Sequence, residues 1–524
     1  MSQDLTLYLP LDSVAVSLGA DDVAAALQDA AKQKGVALNL VRTGSRGMHW
    51  LEPLAEAEID GVRQGFGPLE ADDAATLIDA LTSSAEAAPK AVGAVEDIPF
   101  FAQQTRLIFE RCGRNDPVDI DAYRRDGGYK GLAAALTQAP MAVCETVFDS
   151  GLRGRGGAGF PAGIKWKTVS GAEADQKYIV VNADEGDSGT FADRMVMEGD
   201  PFLLIEGMTI AGVATGAMQG FIYLRSEYPI AADILEKAIK AARAAGMLGA
   251  NVDGSGKAFD IEVFVGAGAY ICGEETSLLN SLEGKRGEVR AKPPIPALEG
   301  LLGKPTLVHN VITLCSVPVI LSHGAEHYRD FGMGRSTGTM PFQLAGNIKH
   351  GGLFEAAFGV TLGALVNEIG GGALTGAPVR AVQIGGPLGA YLPPSLFDLP
   401  MDYETMAENG AGVGHGGLVV FDESVDLLDQ ARYAFEFCAE ESCGKCTPCR
   451  VGAVRGVEVM DRLRAGVDPE LQKDVVGDLC ELMVDGSLCA MGGMTPIPVQ
   501  SAMKHFPEDF QPRPASDASR VAAE

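Results

Sequence analysis

The chain has 524 residues, 42 of them Lys or Arg and 70 Asp or Glu, for a formal net charge of −28. That balance argues against binding nucleic acid or docking on an anionic membrane, since both call for a basic surface. With 46% hydrophobic and 21% charged residues the composition is that of a folded globular protein, and at roughly 150 residues per domain the length implies three or four domains.

In chain order, residues 5–8 read as a short strand, 21–31 as an Ala-rich helix with aspartates at its start, and 36–41 as a second strand leading into Thr43-Gly44-Ser45. An acidic first turn suits the helix dipole, so residues 1–81 form a small α/β unit. Residues 82–98 are rich in Ala, Ser, Glu and Pro and read as a linker. From 99 to 335 apolar strands (178–181, 221–224, 261–265) alternate with helices (202–217, 231–245, 274–282). Such alternation implies a parallel sheet covered on both faces, with ligands bound beyond the carboxyl ends of its strands. Residues 336–424 hold short apolar runs, frequent Gly and one short helix at 362–369, a small β-rich module. Apolar residues at helical spacing then mark 425–506 as a helical bundle, and the polar tail 507–524 reads as disordered. The start has no basic stretch ahead of an apolar run, and the apolar run at 311–321 is short and contains Pro318. A cytoplasmic protein that does not enter the membrane is expected.

The strongest chemical signal is Cys443-Gly-Lys-Cys446-Thr-Pro-Cys449. Three thiols at C-x2-C-x2-C spacing converge on one centre, the spacing of 4Fe–4S sites whose fourth thiolate comes from a distance. Zinc suits the pattern less, because its structural sites usually use two separated pairs. Cys489, after Asp485-Gly486-Ser487, is the expected fourth ligand; Cys480 sits within an amphipathic helix. Cys112, Cys144, Cys272, Cys315 and Cys438 read as small buried hydrophobes.

Three further motifs lie in the α/β region. Gly151-Leu-Arg-Gly154-Arg-Gly156-Gly157-Ala-Gly-Phe160 brings bare backbone N–H groups together, with Arg or Lys165 to supply charge. It is a phosphate cradle or an ordinary turn, and Pro161 and Gly163 are expected to prevent a helix after it. Asn182-Ala-Asp184-Glu185-Gly-Asp187 follows a strand, where carboxylates hold sugar hydroxyls, a flavin ring or a metal, or form a solvated acidic turn. Gly266-Ala-Gly268-Ala-Tyr270-Ile-Cys-Gly273-Glu274-Glu275 runs from strand to helix start, and its glutamates suit the helix dipole in any case. Lys292 and His309-Asn310 follow in loops.

In this order the motifs and the cysteine loop resemble the NADH-binding flavoprotein subunits found in respiratory complex I, soluble hydrogenases and NAD-dependent formate dehydrogenases, over residues 100–495. The resemblance implies a multidomain α/β protein: a thioredoxin-like front domain, a Rossmann-like FMN/NAD domain, a β-grasp-like module and a helical 4Fe–4S domain. It implies hydride exchange between NAD(H) and FMN, and single-electron exchange between FMN and the cluster, with no side chain as acid or base. Gly154, Gly156, Gly157 and Lys165 would hold the FMN phosphate end. Asn182, Asp184, Tyr270, Gly273, Glu274 and Asn310 would line the flavin, with Glu185 a further cofactor contact. Phe160, Asp187, Glu275 and Lys292 would face NAD(H). Cys443, Cys446, Cys449 and Cys489 would bind the cluster.

Asp187, His309 and Ile295 stand where respiratory members commonly carry Glu, Asn and an aromatic, which points away from that branch. The front domain resembles a thioredoxin-like 2Fe–2S domain at Thr43-Gly44-Ser45 and Glu52-Pro53-Leu54, yet no cysteine precedes Cys112. That combination most resembles the formate dehydrogenase diaphorase subunit. The resemblance implies iron–sulfur partners, a molybdenum-containing formate-oxidising subunit and a small 2Fe–2S partner. The alternatives are the diaphorase of a hydrogenase or of complex I, and, from another class, a flavin-free iron–sulfur or zinc docking protein.

Overall fold

The computed structural model describes residues 4–83 and 88–511. Strand β1 (Asp4–Pro10), helix α1 (Ala20–Lys34) and β2 (Ala37–Thr43) form a parallel unit. Asp21 and Asp22 occupy the first turn of α1 and Lys32 and Lys34 its last, complementing the helix dipole, before Gly35 ends it in the left-handed region. Strands β3 (Ala55–Ile59) and β4 (Val62–Phe66) pair antiparallel, and α2 (Ala74–Ser83) packs on α1. Part of the 82–98 stretch is not a linker. Residues Ala91–Ala94 form β5, which completes a five-stranded sheet of order β2-β1-β3-β4-β5, and Val95 is buried beside it. Small residues that read as linker also suit a short edge strand, which needs backbone pairing more than side-chain bulk.

This unit is fastened to the rest of the chain by buried polar contacts. Glu198 accepts from the N–H and hydroxyl of Ser13 at 2.8 and 2.6 Å. Gly44 lies against Gly199 so closely that a Cβ would sit 2.5 Å from the Gly199 Cα, which leaves no room for any side chain.

The second sheet is wholly parallel. Its strands are β6 (Tyr178–Ala183), β7 (Gln219–Leu224), β8 (Asp260–Val265) and β9 (Thr306–Asn310), in the order β8-β7-β6-β9. The order reverses direction between β6 and β9, and such a switch point opens a crevice at the strands' carboxyl ends. Register places Asn182 beside Asn310 there. Around the sheet lie α3 (Pro140–Asp149), α4 (Ala162–Gly171), α5 (Ala192–Gly199), α6 (Pro201–Thr215), α7 (Pro229–Ala244), α8 (Glu275–Leu282) and α9 (Val311–His323). Every residue of α6 is buried and α9 nearly so, which explains their apolar character on all sides. The apolar run at 311–321 is therefore core helix, and among the described residues no helix is long and apolar enough to cross a membrane. Pro161 and Gly163 do not prevent a helix after the glycine loop. Pro161 is the residue before α4, and Gly163 lets α4 approach α3, since a Cβ there would lie 2.3 Å from the Phe148 Cα.

The third sheet is mixed, with β10 (Thr339–Gly346), β11 (Gly352–Ala357), β12 (Val379–Ile384), β13 (Ala390–Leu392) and β14 (Gly417–Asp422) in the order β11-β10-β14-β12-β13. Beyond it α10 (Leu427–Glu441), α11 (Thr447–Arg464), α12 (Pro469–Gly486), α13 (Ala490–Met494) and α14 (Pro496–His505) share one apolar core. Residues 507–511 are ordered, contrary to the expected disordered tail from 507. Pro507–Phe510 forms a short turn with Phe510 buried, and Asp509 accepts from Arg380 at 2.8 Å and the Leu427 N–H at 2.7 Å. The rest of that stretch, from 512, lies outside the described residues.

Candidate flavin, nicotinamide and cluster site

A cavity of about 700 Å³ opens at the switch point between β6 and β9. All fifteen residues expected to contact cofactor line it, from Gly154, Gly156, Gly157, Phe160 and Lys165 to Lys292 and Asn310. Cys489 lines it as well, so the flavin-type cavity and the cysteine centre share a wall.

The glycine loop is closed by its own pairing: Gly154 N–H to Phe160 O and Ala162 N–H to Leu152 O, both 2.8 Å. Among the described residues, no protein acceptor takes the N–H groups of Gly156, Gly157, Ala158 or Gly159. Such a run of free donors is a cradle for an anion. The two arginines in the loop are committed elsewhere. Arg153 donates to Gly159 O and Glu404, and buried Arg155 to Thr337 O, Thr339 O and the Tyr328 hydroxyl. Lys165, on the first turns of α4, is left to supply the positive charge; its Nζ lies 3.1 Å from Glu275. Glu275 also pairs with Lys292 at 2.7 Å. Against its burial, these two lysines hold the Glu275 carboxyl below its ordinary range.

On the opposite wall Asn182 donates to Gly273 O at 2.7 Å, and the Tyr270 hydroxyl to Asp187 at 2.7 Å. Burial raises the Asp187 carboxyl above its ordinary value. Asp184 is 7% exposed, its Oδ2 has no hydrogen-bond partner, and burial pushes its carboxyl up to about 8. A buried orphaned oxygen inside a cavity lined by free N–H groups fits a bound heteroaromatic ligand with polar edges. Glu185 is different: its oxygens accept from the N–H groups of Asp193 and Arg194 and the Tyr228 hydroxyl. Its carboxylate therefore fixes the start of α5. Glu274 caps α8 and Asn310 caps α9 through side-chain oxygens, so both have structural duties too. Phe160 and Ile295, each 45% exposed, form an apolar rim. His309 is buried and its Nε2 accepts from the Trp166 indole N–H at 3.1 Å. Burial and nearby Lys165 push it down to about 3, so the ring is neutral and its Nε2 is held by the indole.

Cys446 is the residue before α11, Cys449 lies in its first turn, and Cys489 precedes α13. Cys449 is buried in the apolar core of the helical domain, and Cys443, Cys446 and Cys489 pack half-buried against that same core. Among the described residues no three of these sulfurs lie within 4.8 Å of one another. Cys480 is buried in the bundle on α12. Cys438, expected to be an isolated core residue, has its sulfur 3.6 Å from that of Cys449. Its separation in sequence is bridged because α10 and α11, which flank the cysteine loop, pack against each other. His415 is a titratable wall residue the motifs did not include; its only signal in the sequence is its place among the glycines 412, 414, 416 and 417.

A parallel sheet with a cavity at its switch point, a free-donor glycine loop and a cysteine loop in the adjoining helical domain are the features of a flavin- and cluster-carrying electron-transfer protein. Residues 147–319 match the Nuo51 FMN-binding domain and 429–513 the NADH-ubiquinone oxidoreductase-F iron–sulfur binding region. The chain is 46% identical to the NADP-reducing hydrogenase subunit HndC of Solidesulfovibrio fructosivorans over 78% of this chain and 83% of that one. It is 42% identical to the F subunit of NADH-quinone oxidoreductase from Escherichia coli strain K12, over 75% of this chain and 89% of that one. A chain of the air-oxidised NAD+-reducing [NiFe]-hydrogenase superposes with a TM-score of 0.67 at 29% identity, covering 100% of this chain and 89% of that one. The chain belongs to the family of NADH-binding flavoprotein subunits that includes HndC and its Escherichia coli counterpart, and its cofactors are FMN, NAD(H) and a 4Fe–4S cluster.

Proposed function

We propose that the chain is the NAD(H)- and FMN-binding electron-transfer subunit of a multi-subunit, cytoplasmic, NAD-dependent formate dehydrogenase. The observation that carries the electron-transfer role is the cavity wall that contains both Asp184 and Cys489. When bound, FMN supplies the conversion between two-electron hydride chemistry and the one-electron chemistry of the cluster. The chain's own residues bind and orient: the free N–H groups of the glycine loop and Lys165 hold the phosphate end, and Asn182, Asp184 and Gly273 border the ring. Phe160, Asp187, Glu275 and Lys292 face the nicotinamide nucleotide, and Cys443, Cys446, Cys449 and Cys489 hold the cluster. No side chain needs to act as acid or base, so rate depends on how these walls align two rings.

The formate assignment rests on the front unit, which we read as thioredoxin-like because of its strand order β2-β1-β3-β4-β5 and which has no cysteine before Cys112 to hold a cluster of its own. We read the following units as a Rossmann-like domain, a β-grasp-like module and a helical cluster domain. Formate oxidation would take place on a molybdenum-containing partner, with a small 2Fe–2S protein also in the complex. A second reading, the diaphorase of a hydrogenase, is favoured by the likeness to HndC and to the [NiFe]-hydrogenase chain. Purification of the intact complex separates them: molybdenum and formate-dependent NAD+ reduction support the first reading, whereas nickel and hydrogen-dependent reduction overturn it in favour of the second.

A further inference from the structure

His415 immediately precedes β14 in the third-sheet module, and its ring is 5% exposed in the cavity wall. Both ring nitrogens face acceptors. Nδ1 lies 2.7 Å from the Arg155 carbonyl oxygen, and Nε2 lies 3.2 Å from Glu185 Oε1 and 3.2 Å from Asp193 Oδ1. The Asn310 amide nitrogen is farther from Nδ1, at 3.4 Å. A carbonyl and two carboxylates only accept, so each ring nitrogen carries a hydrogen and the ring is an imidazolium.

These partners come from three separate pieces of the cavity. Arg155 is in the glycine loop, Glu185 is in the acidic loop after β6, and Asp193 is in the first turn of α5. In a trans peptide the C=O and the following N–H point in opposite directions. Holding the Arg155 oxygen therefore sets the direction of the Gly156 N–H, the first free donor of the cradle. We propose that His415 is a positioning residue that joins the third-sheet module to the glycine and acidic loops, and that its positive charge offsets Glu185 and Asp193 in the wall of the flavin site. This rests on the assignment of FMN to the cavity.

Removing the cation leaves two buried carboxyls whose oxygens lie within 4.8 Å of each other. Like charges so close disfavour double ionisation, so one keeps a proton in mild acid and both are charged only at alkaline pH. The other charged or titratable groups around the pair are Asp187 in the same loop, Arg194 on α5, Arg225 and Tyr228 ahead of α7, and Cys315 on α9. A cation in the wall favours the negative charge that reduction brings to a bound flavin.

The test compares the FMN-loaded wild type with His415→Gln and with the double variant His415→Gln/Asp193→Asn. FMN affinity, read by flavin fluorescence, is expected to fall at least tenfold in the single variant and to recover in part in the double one. Spectroelectrochemical titration is expected to place the single variant's flavin midpoint below wild type at alkaline pH and level with it in mild acid. A loss of packing alone would not make the midpoint gap depend on pH. Unchanged FMN affinity, equal midpoints at both pH values, or a double variant no better than the single one would each overturn the proposal. If the wild type itself takes up no FMN, it is the flavin assignment that fails.

Discussion

Replacing Lys165 by Met tests whether the glycine loop and α4 hold a phosphate. Charge-assisted hydrogen bonds contribute about 1.5–3 kcal/mol, or about 10–150-fold in affinity. Lys165 keeps 30% of its side chain in solvent, so screening favours the lower part of that range, about 10–30-fold. Folding stability should change by less than about 1 kcal/mol, because Glu275 retains Lys292 at 2.7 Å and is not left as an unpaired charge. Titrating apoprotein with FMN while following fluorescence quenching gives the affinity, and riboflavin, which has no phosphate, is the control. The expected result is weaker FMN binding with riboflavin binding unchanged and a nearly constant thermal midpoint. Equal weakening of both ligands, or no weakening of either, would refute the assignment of Lys165 to the phosphate end.

Other outcomes follow from the same geometry. Cys489→Ser should lose cluster iron, measured by iron analysis and electron paramagnetic resonance, whereas Cys480→Ser, within the α12 core, should retain it; the reverse would reassign the ligand. Burial raises Asp184 from 3.8 to about 8, so the folded apoprotein keeps a proton that the unfolded chain releases, and stability falls as pH rises across that window. Asp184→Asn should flatten this dependence and stabilise the apoprotein by a few kcal/mol at alkaline pH, as read from urea unfolding at several pH values. Gly44→Ala places a methyl against Gly199 and should cost about 1–3 kcal/mol as an overpacked contact, seen as a lower thermal midpoint and earlier proteolysis between the front unit and the parallel-sheet domain.

The parallel domain was the most legible part of the fold. Its strands are short, mostly apolar runs and its helices are longer apolar segments, so period and length agree at β6, β7 and β8. The cysteine loop was legible because its spacing is local. What escaped the sequence depends on distant partners. Residues 91–94 have linker composition, and only pairing with β4 makes them a strand. Phe510 and Asp509 look like tail until Arg380 and the α10 start are beside them. Pro161 and Gly163 break a helix by propensity alone, yet one stands just ahead of α4 and the other provides its contact with α3. Cys438 and His415 carry no motif, because their significance comes from Cys449 across a helix pair and from Arg155, Glu185 and Asp193 on two loops and a helix start. The fifteen motif residues do meet at one cavity, but the sequence did not reveal that the carboxylate of Glu185 is turned to α5.

The most direct test of the account is the visible spectrum of the purified, cofactor-loaded protein during anaerobic addition of NADH. Flavin absorption is expected to bleach on addition, together with iron near four atoms per chain and reduction of the cluster seen by electron paramagnetic resonance. A preparation loaded with FMN and iron whose flavin absorption NADH leaves unchanged would contradict it.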